Sequence, residues 1–167
     1  MEINREQVLV LQIDSDADVG ICRRKSVSLA GVLGFDDVKM GEIAILVSEL
    51  VTNVLKHGGG KGRIVICYLK TEDKKKAIEF FCFDAGAGIQ NLEYAMSDGL
   101  SGKNTLGLGL GTIHRFSDTF EIGSMISMPL DEVDSKINSE YKHCIRVVKW
   151  VPESHWLGSN KSIGIGV

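Results

Sequence analysis

The stretch from Met40 to Gly60, MGEIAILVSELVTNVLKHGGG, constrains the fold more than any other part of the chain. Its apolar residues recur at the spacing of one helix face: Ile43, Val47, Leu50 and Val54. Because each residue turns a helix by about 100°, Glu49, Asn53 and Lys56 fall within roughly 60° of one another, on one flank of that face. Three polar groups on the edge of a mostly buried helix indicate a polar ligand. The alternative is a solvated flank, with an ordinary contact between Glu49 and Asn53.

Length and composition limit the function classes. The chain has 167 residues, of which 44% are hydrophobic and 25% charged, with a net charge of −3. These values predict one cytoplasmic domain with a substantial core, and neither a nucleic-acid nor a membrane surface. All four cysteines sit in apolar segments without a CxxC pair, so each is expected to be a reduced core thiol.

The order of predicted elements gives the fold class. Strands are predicted over 7–13, 63–69, 77–84, 119–125 and 144–151, and helices over 19–33, 91–96 and 108–116 besides the central one. Asp18 is expected to cap the first helix and Gly34 to end it, and Asp36 or Asp37 to cap the second. The expected architecture is an α/β two-layer sandwich over residues 1–151, with a mixed sheet and helices on one face. Residues 152–167 are interpreted as a tail that leads out of the domain.

The polar flank of the central helix has a consistent chemistry. The amide oxygen of Asn53 suits Mg²⁺, which takes few protein ligands and keeps several waters. Lys56 can neutralise phosphate charge. Glu49, near the metal without being needed as a ligand, can act as a general base.

Two glycine motifs follow. Asp84 begins DAGAGI at the end of an apolar strand, where its carboxylate can accept a hydrogen bond from an exocyclic amine; a tight turn is the alternative. The stretch Gly107–Gly111, GLGLG, precedes a helix and is predicted to cradle phosphate with its N–H groups. Neither a Walker A motif nor the GxGxxG fingerprint occurs in the chain, which argues against a P-loop enzyme and a Rossmann domain.

In order, SELVTN, DAGAGI and TLGLGLGTIHRFSDTFEIGS resemble the N, G1 and G2 boxes of the GHKL ATPase/kinase superfamily. The resemblance covers about residues 7–151 and implies the histidine kinase-like ATPase fold, with ATP and Mg²⁺ as cofactors. ELVTNVLKHGGGKG most resembles the anti-sigma-factor serine/threonine kinases of bacterial partner switching. That branch implies an ATP-dependent protein kinase acting on a STAS-domain antagonist protein.

The resemblance also assigns roles to residues. It implies that Glu49 is the catalytic base, that Asn53 is the Mg²⁺ ligand and that Asp84 binds adenine. Ser101 to Thr105 would form a short lid. The other implied nucleotide contacts are Lys56, His57, Gly86, Gly88, Ile89, Ser101, Gly102, Thr105, Gly107, Leu108, Gly109 and Gly111. His57 is as well explained as a packed structural histidine.

Other functions remain open at this point. The main alternative is a nucleotide-binding regulator with little kinase activity, which sequesters a sigma factor or gates a phosphatase domain. The tail SIGIGV resembles the opening strand of a SpoIIE-type phosphatase domain, so the chain is also interpreted as the N-terminal piece of a longer protein. A homodimer is a further expectation. The stretch 129–141 is longer than the hairpin expected in the small kinases and would change the partner surface.

Overall fold

The computed structural model of the protein describes residues 2–86, 105–124 and 141–153. Its elements are β1 (Ile3–Ile13), α1 (Ala17–Leu33), α2 (Asp37–His57), β2 (Gly62–Thr71), β3 (Lys76–Asp84), α3 (Thr105–Phe116), β4 (Thr119–Ser124) and β5 (His143–Trp150). Every element predicted within these ranges is present. The predicted helix over 91–96, most of the loop over 97–106, the stretch 129–140 and the tail from 154 lie outside the described residues.

The start of α1 differs from the prediction. The helix begins at Ala17, so Asp18 lies in its first turn and does not precede it. The Asp18 carboxylate accepts the N–H groups of Asp14 at 2.9 Å and Ser15 at 3.0 Å, which fixes the turn before the helix. These backbone hydrogen bonds also lower the pKa of Asp18. The predicted end is confirmed, because Gly34 adopts a left-handed φ of 106° that an L side chain rarely allows.

Both ends of α2 are confirmed. Asp36 caps the helix by accepting the N–H of Lys39 at 2.8 Å. At the other end, the N–H of Gly58 donates to the carbonyl groups of Asn53 and Val54. The helix therefore stops at the predicted glycine run, one turn after Asn53.

The sheet has the strand order β1-β2-β3-β5-β4, and all four pairings are antiparallel. The two-layer α/β class is confirmed, but the sheet is not mixed as predicted. The two helices between β1 and β2 return the chain so that β2 runs opposite to β1. β3 and β4 run in the same direction, but β5 lies between them, so no parallel pair forms among the described strands.

The described helices pack on one face of the sheet, as predicted. Alternate residues of the strands point to that layer, because successive side chains of a strand point to opposite faces. The buried core between helices and sheet includes Ile43, Leu46, Val47, Leu50, Ile64, Ile66, Ile78, Phe80, Leu110, Ile113 and Val147. None of the three described helices combines the length and the apolar composition needed to cross a bilayer.

The opposite face of the sheet carries a buried carboxylate. Glu79 is fully buried and forms hydrogen-bonded ion pairs with Arg5 at 2.6 Å and Arg146 at 2.7 Å. Both guanidinium groups also lie over the ring of Phe81, at 5.7 and 5.9 Å from its centroid. The charge of Glu79 is therefore compensated from both sides, and the network ties β3 to its neighbour β5 and, across β2, to β1.

The four cysteines are all buried and free, which confirms the predicted reduced thiols. Burial raises the pKa of Cys22 to about 11 and that of Cys67 to about 12. Because the thiolate is the reactive form, these residues behave as core side chains.

Candidate functional site

The polar edge of α2 is placed where the sequence predicts it. Asn53 is only 8% exposed, and its Nδ2 atom has no hydrogen-bond partner within the described chain. Glu49, one turn earlier, is half-buried, and its carboxylate makes no hydrogen bond or ion pair with another described residue. The amide of Asn53 therefore does not donate the hydrogen bond to Glu49 that an ordinary contact between the two would predict. A buried amide without a partner costs roughly 1–3 kcal/mol, which indicates that a ligand supplies the missing contact.

The other two predicted residues of α2 lie in its last turn. Lys56 and His57 are both exposed, so His57 is not the packed structural histidine that the sequence allowed. Its carbonyl oxygen instead borders Gly86: a Cβ atom built on that glycine would lie 2.7 Å from it. The end of α2 and the turn after β3 are thus in direct contact.

Helix α3 brings the third motif to the edge of α2. A Cβ atom on Gly109 would lie 2.8 Å from Oε2 of Glu49 and 3.3 Å from Oδ1 of Asn53. A larger residue at this position would displace the ends of the Glu49 and Asn53 side chains, so the glycine lets α3 lie directly against both polar groups. The sequence predicted both groups and the glycine motif, but it did not predict which of the glycines contacts them.

The glycines of this motif lie inside the helix, which differs from the prediction that α3 begins at Leu108. The helix begins at Thr105, so Gly107, Gly109 and Gly111 all belong to it. Only the first N–H groups of a helix lack an internal partner, and Gly107 is the one glycine of the three in that first turn. Phosphate binding by Gly107, Gly109 and Gly111 remains a prediction, and Gly109 and Gly111 are buried in the packed helix.

Asp84 lies at the end of β3, beside the end of α2. Its carboxylate accepts the N–H of Gly86 at 2.9 Å, and a Cβ atom on Gly58 would lie 2.7 Å from the Cβ of Asp84. Burial raises the pKa of Asp84, although the Gly86 N–H and the nearby His143 partly oppose this. The two glycines therefore let the end of α2 and the turn after β3 pack directly against each other beside a half-buried acceptor.

His143 is a site residue that the sequence analysis missed. It is the direct antiparallel partner of Asp84 at the start of β5, and paired residues of this kind carry their side chains on the same face. The preceding residue, Lys142, donates its N–H to the carbonyl of Asp84 at 2.9 Å. No local motif marks His143, because only the register of β3 and β5 brings it next to the carboxylate.

Four predicted contacts cannot be placed: Gly88, Ile89, Ser101 and Gly102 lie outside the described residues, and for Leu108 only the helical backbone is described. The remaining predicted residues form two clusters joined by α2. Glu49 and Asn53 meet Gly109 near the middle of that helix, and Asp84 meets Gly58 and Gly86 at its end.

The residues fit a nucleotide with a divalent cation. The unpartnered amide of Asn53 can turn its oxygen to a metal, and Glu49 and Lys56 lie along the same edge. Within residues 2–86, 105–124 and 141–153 no group of three or more His, Cys, Asp or Glu side chains could hold a metal. The cation would therefore depend on Asn53, phosphate oxygens and water, as Mg²⁺ commonly does.

Comparison with known proteins agrees with this geometry. No curated protein matches the chain. The family model described as histidine kinase-like ATPase domain matches residues 14–129, which is more than half of the chain. The matched range includes the polar edge of α2, Asp84 and the glycines of α3. The chain therefore belongs to the family of histidine kinase-like ATPase domains, of the GHKL type, and this membership implies that it binds ATP.

Proposed function

We propose that the protein is an ATP-dependent serine/threonine protein kinase of a bacterial partner-switching system, and that its substrate is a STAS-domain antagonist protein. The observation that carries the proposal is the carboxylate of Glu49, which has no partner among the described residues and lies beside Asn53 and against Gly109. Holding a nucleotide does not require a free carboxylate at the phosphate end of the site. Transferring its terminal phosphate to a hydroxyl group benefits from one, because a base must take the hydroxyl proton.

The proposed roles follow from position. Asn53 would hold Mg²⁺, which shields the negative charge of the phosphates when bound. Glu49 would accept the proton of the substrate hydroxyl. The hydroxyl oxygen would form the new bond to the terminal phosphorus while the bond to ADP breaks and ADP leaves. Lys56, exposed in the last turn of α2, is free to pair with a phosphate. Asp84 would accept a hydrogen bond from the exocyclic amine of adenine, and Gly58 and Gly86 shape the backbone beside it.

The experiment that tests the proposal is phosphate transfer from labelled ATP to purified STAS-domain proteins in the presence of Mg²⁺. We expect one serine or threonine of the cognate protein to become labelled, with ADP as the other product. Mg²⁺-dependent ATP binding without transfer to any of a broad set of STAS-domain proteins would contradict the kinase. That result would favour a nucleotide-binding regulator of a sigma factor or a phosphatase domain.

Asn53→Leu should separate metal-dependent binding from folding. The replacement keeps nearly the same side-chain shape but removes the metal ligand, so we expect Mg²⁺–ATP affinity to fall about tenfold or more. The nucleotide-free protein should be no less stable, since the variant also removes a buried amide without a partner. Titration with ATP, in Mg²⁺ and in EDTA, together with thermal unfolding, measures both effects.

The matched control is Asn53→Asp, which keeps an oxygen ligand and should retain Mg²⁺-dependent binding. An Asn53→Leu protein that binds Mg²⁺–ATP as tightly as the wild type would show that Asn53 is not the metal ligand.

Asp84 should make ATP affinity depend on pH. Its pKa is raised above the ordinary 3.8 by burial, so the carboxylate loses its charge at a higher pH than an exposed aspartate does. We expect ATP affinity to fall as the pH drops through this raised pKa, because protonation removes the charged acceptor for the adenine amine. The stability of the nucleotide-free protein should change in the opposite direction, since an acid with a raised folded pKa favours the folded state once protonated.

Calorimetric titration from neutral to mildly acidic pH measures this dependence. Asp84→Asn should weaken binding and flatten the profile, and His143→Gln, measured in parallel, separates the contribution of the neighbouring imidazole. The exposed Asp37, changed to asparagine, is the control. An Asp84→Asn profile as steep as that of the wild type would exclude Asp84 as the titrating group.

A further inference from the structure

Lys149 is a buried cation in the layer between the sheet and the helices. It is 5% exposed and follows Ile145 and Val147 on the face of β5 that packs against the helices. Its Nζ atom donates to the carbonyl oxygen of Phe116 at 2.6 Å and pairs with Glu42 at 2.7 Å. A buried ammonium is costly unless such partners compensate it, so its place in the core calls for an explanation.

The two partners of Lys149 belong to the two helices of the nucleotide site. Phe116 is the last residue of α3, where carbonyl groups lack partners within the helix and the helix dipole is negative. Glu42 lies in the N-terminal half of α2. One side chain of β5 therefore fastens the end of α3 to the side of α2.

The connection through Lys149 lies two turns along α2 and α3 from the contact between Glu49 and Gly109. Glu42 and Glu49 are two turns apart on one face of α2, and Gly109 and Phe116 are two turns apart on α3, about 10 Å in each case. Gly109 contacts Glu49, and Lys149 joins Phe116 to Glu42. The helices are thus antiparallel and held at two points, one at the proposed phosphate site and one at Lys149.

We propose that Lys149 is a positioning residue, which sets the gap between α2 and α3 and thereby the affinity for the phosphate–Mg²⁺ part of the nucleotide. This inference rests on the nucleotide site of the proposed function, and it does not depend on phosphate transfer. Lys149 touches none of the proposed ligand contacts. Its effect should be confined to the Glu49–Asn53–Gly109 end, because Asp84, Gly58 and Gly86 do not involve α3.

The test compares Mg²⁺–ATP with adenosine, which has only the base and the sugar. We expect Lys149→Met to weaken Mg²⁺–ATP binding about tenfold, since small displacements of binding groups have effects of this order or larger. Adenosine binding, followed by saturation-transfer NMR, should stay within about twofold of wild type, because adenosine lacks the phosphates that bind between α2 and α3. Lys149→Arg, which keeps a cation for Phe116 and Glu42, should restore part of the Mg²⁺–ATP affinity.

The matched control is Lys39→Met. Lys39 pairs with the same carboxylate, Glu42, at 3.2 Å, but its side chain is 36% exposed. Unlike Lys149, Lys39 donates no hydrogen bond to the carbonyl oxygen of Phe116. It should leave both affinities unchanged. If Lys149→Met folds poorly, Glu42→Gln removes the same ion pair from the other side. It should also weaken Mg²⁺–ATP binding more than adenosine binding.

Three results would overturn the inference: no change in either affinity, an equal loss of both, or the same change in Lys39→Met. An equal loss is the result expected of a merely structural lysine. The role of Lys149 is measured by binding and does not depend on catalysis. If the protein binds ATP but transfers no phosphate, the kinase proposal fails, and the role of Lys149 can still be tested.

Discussion

We expect Glu49→Gln to lower the rate of phosphate transfer to the STAS-domain substrate by roughly 10²–10⁴-fold, the usual contribution of a general base. The amide keeps the shape of the side chain but cannot accept the hydroxyl proton at neutral pH. Mg²⁺–ATP affinity should change little, because Glu49 is not proposed as a metal ligand. Transfer assays at saturating ATP, combined with equilibrium binding, separate the two quantities.

The control for this variant is Asp37→Asn, which removes a carboxylate from the exposed first turn of the same helix. It should transfer phosphate at the wild-type rate. Glu49→Gln with undiminished transfer would exclude Glu49 as the base. A parallel loss of transfer and of ATP binding would instead indicate that Glu49 holds the nucleotide.

The largest effect on stability is expected from Gly62→Ala. A Cβ atom at Gly62 would overlap the carbonyl oxygen of Phe83 and lie 2.6 Å from Cγ1 of Val54. One of these is backbone within the sheet and the other is a buried side chain of α2, so neither can move cheaply. We expect a loss of about 3 kcal/mol in the free energy of unfolding, measured by urea denaturation.

Gly41→Ala is the matched control, because a Cβ atom there would meet nothing within 4 Å. Gly41 lies inside α2, where alanine favours the helix by about 1 kcal/mol relative to glycine, so this variant should be more stable. A Gly62→Ala protein as stable as the wild type would show that α2 and the β2–β3 pair are less tightly packed than the structure indicates. Gly62 is also the antiparallel partner of Asp84, so the variant should weaken ATP binding as well.

The sequence predicted best what depends on local spacing. The helical repeat of α2 is enough to place Glu49 and Asn53 on one edge, and the end of a strand places Asp84 near a glycine turn. The register between distant segments is not contained in such patterns. This is why the contact of Gly109 with Glu49 and the pairing of His143 with Asp84 could not be predicted.

The burial of Lys149 and the strand order also depend on contacts between distant segments, which local patterns do not predict. A lysine in an apolar strand is usually solvent-facing, and its burial here is stabilised by Phe116 and Glu42, which are remote in sequence. The expected mixed sheet was wrong because β5 lies between β3 and β4, a choice that strand lengths and compositions do not reveal.

The position of β5 has a consequence for how the chain is made. In the part of the chain that the structure describes, β4 pairs only with β5, and β5 is the last strand to leave the ribosome. Until residues 143–150 emerge, β3 has an open edge and β4 has no neighbour to dock on. His143 and Lys149 belong to that strand, so the proposed nucleotide site lacks both residues until β5 has paired. A nascent chain that ends before β5 should fail to retain ATP, even though every recognisable nucleotide motif has already been translated.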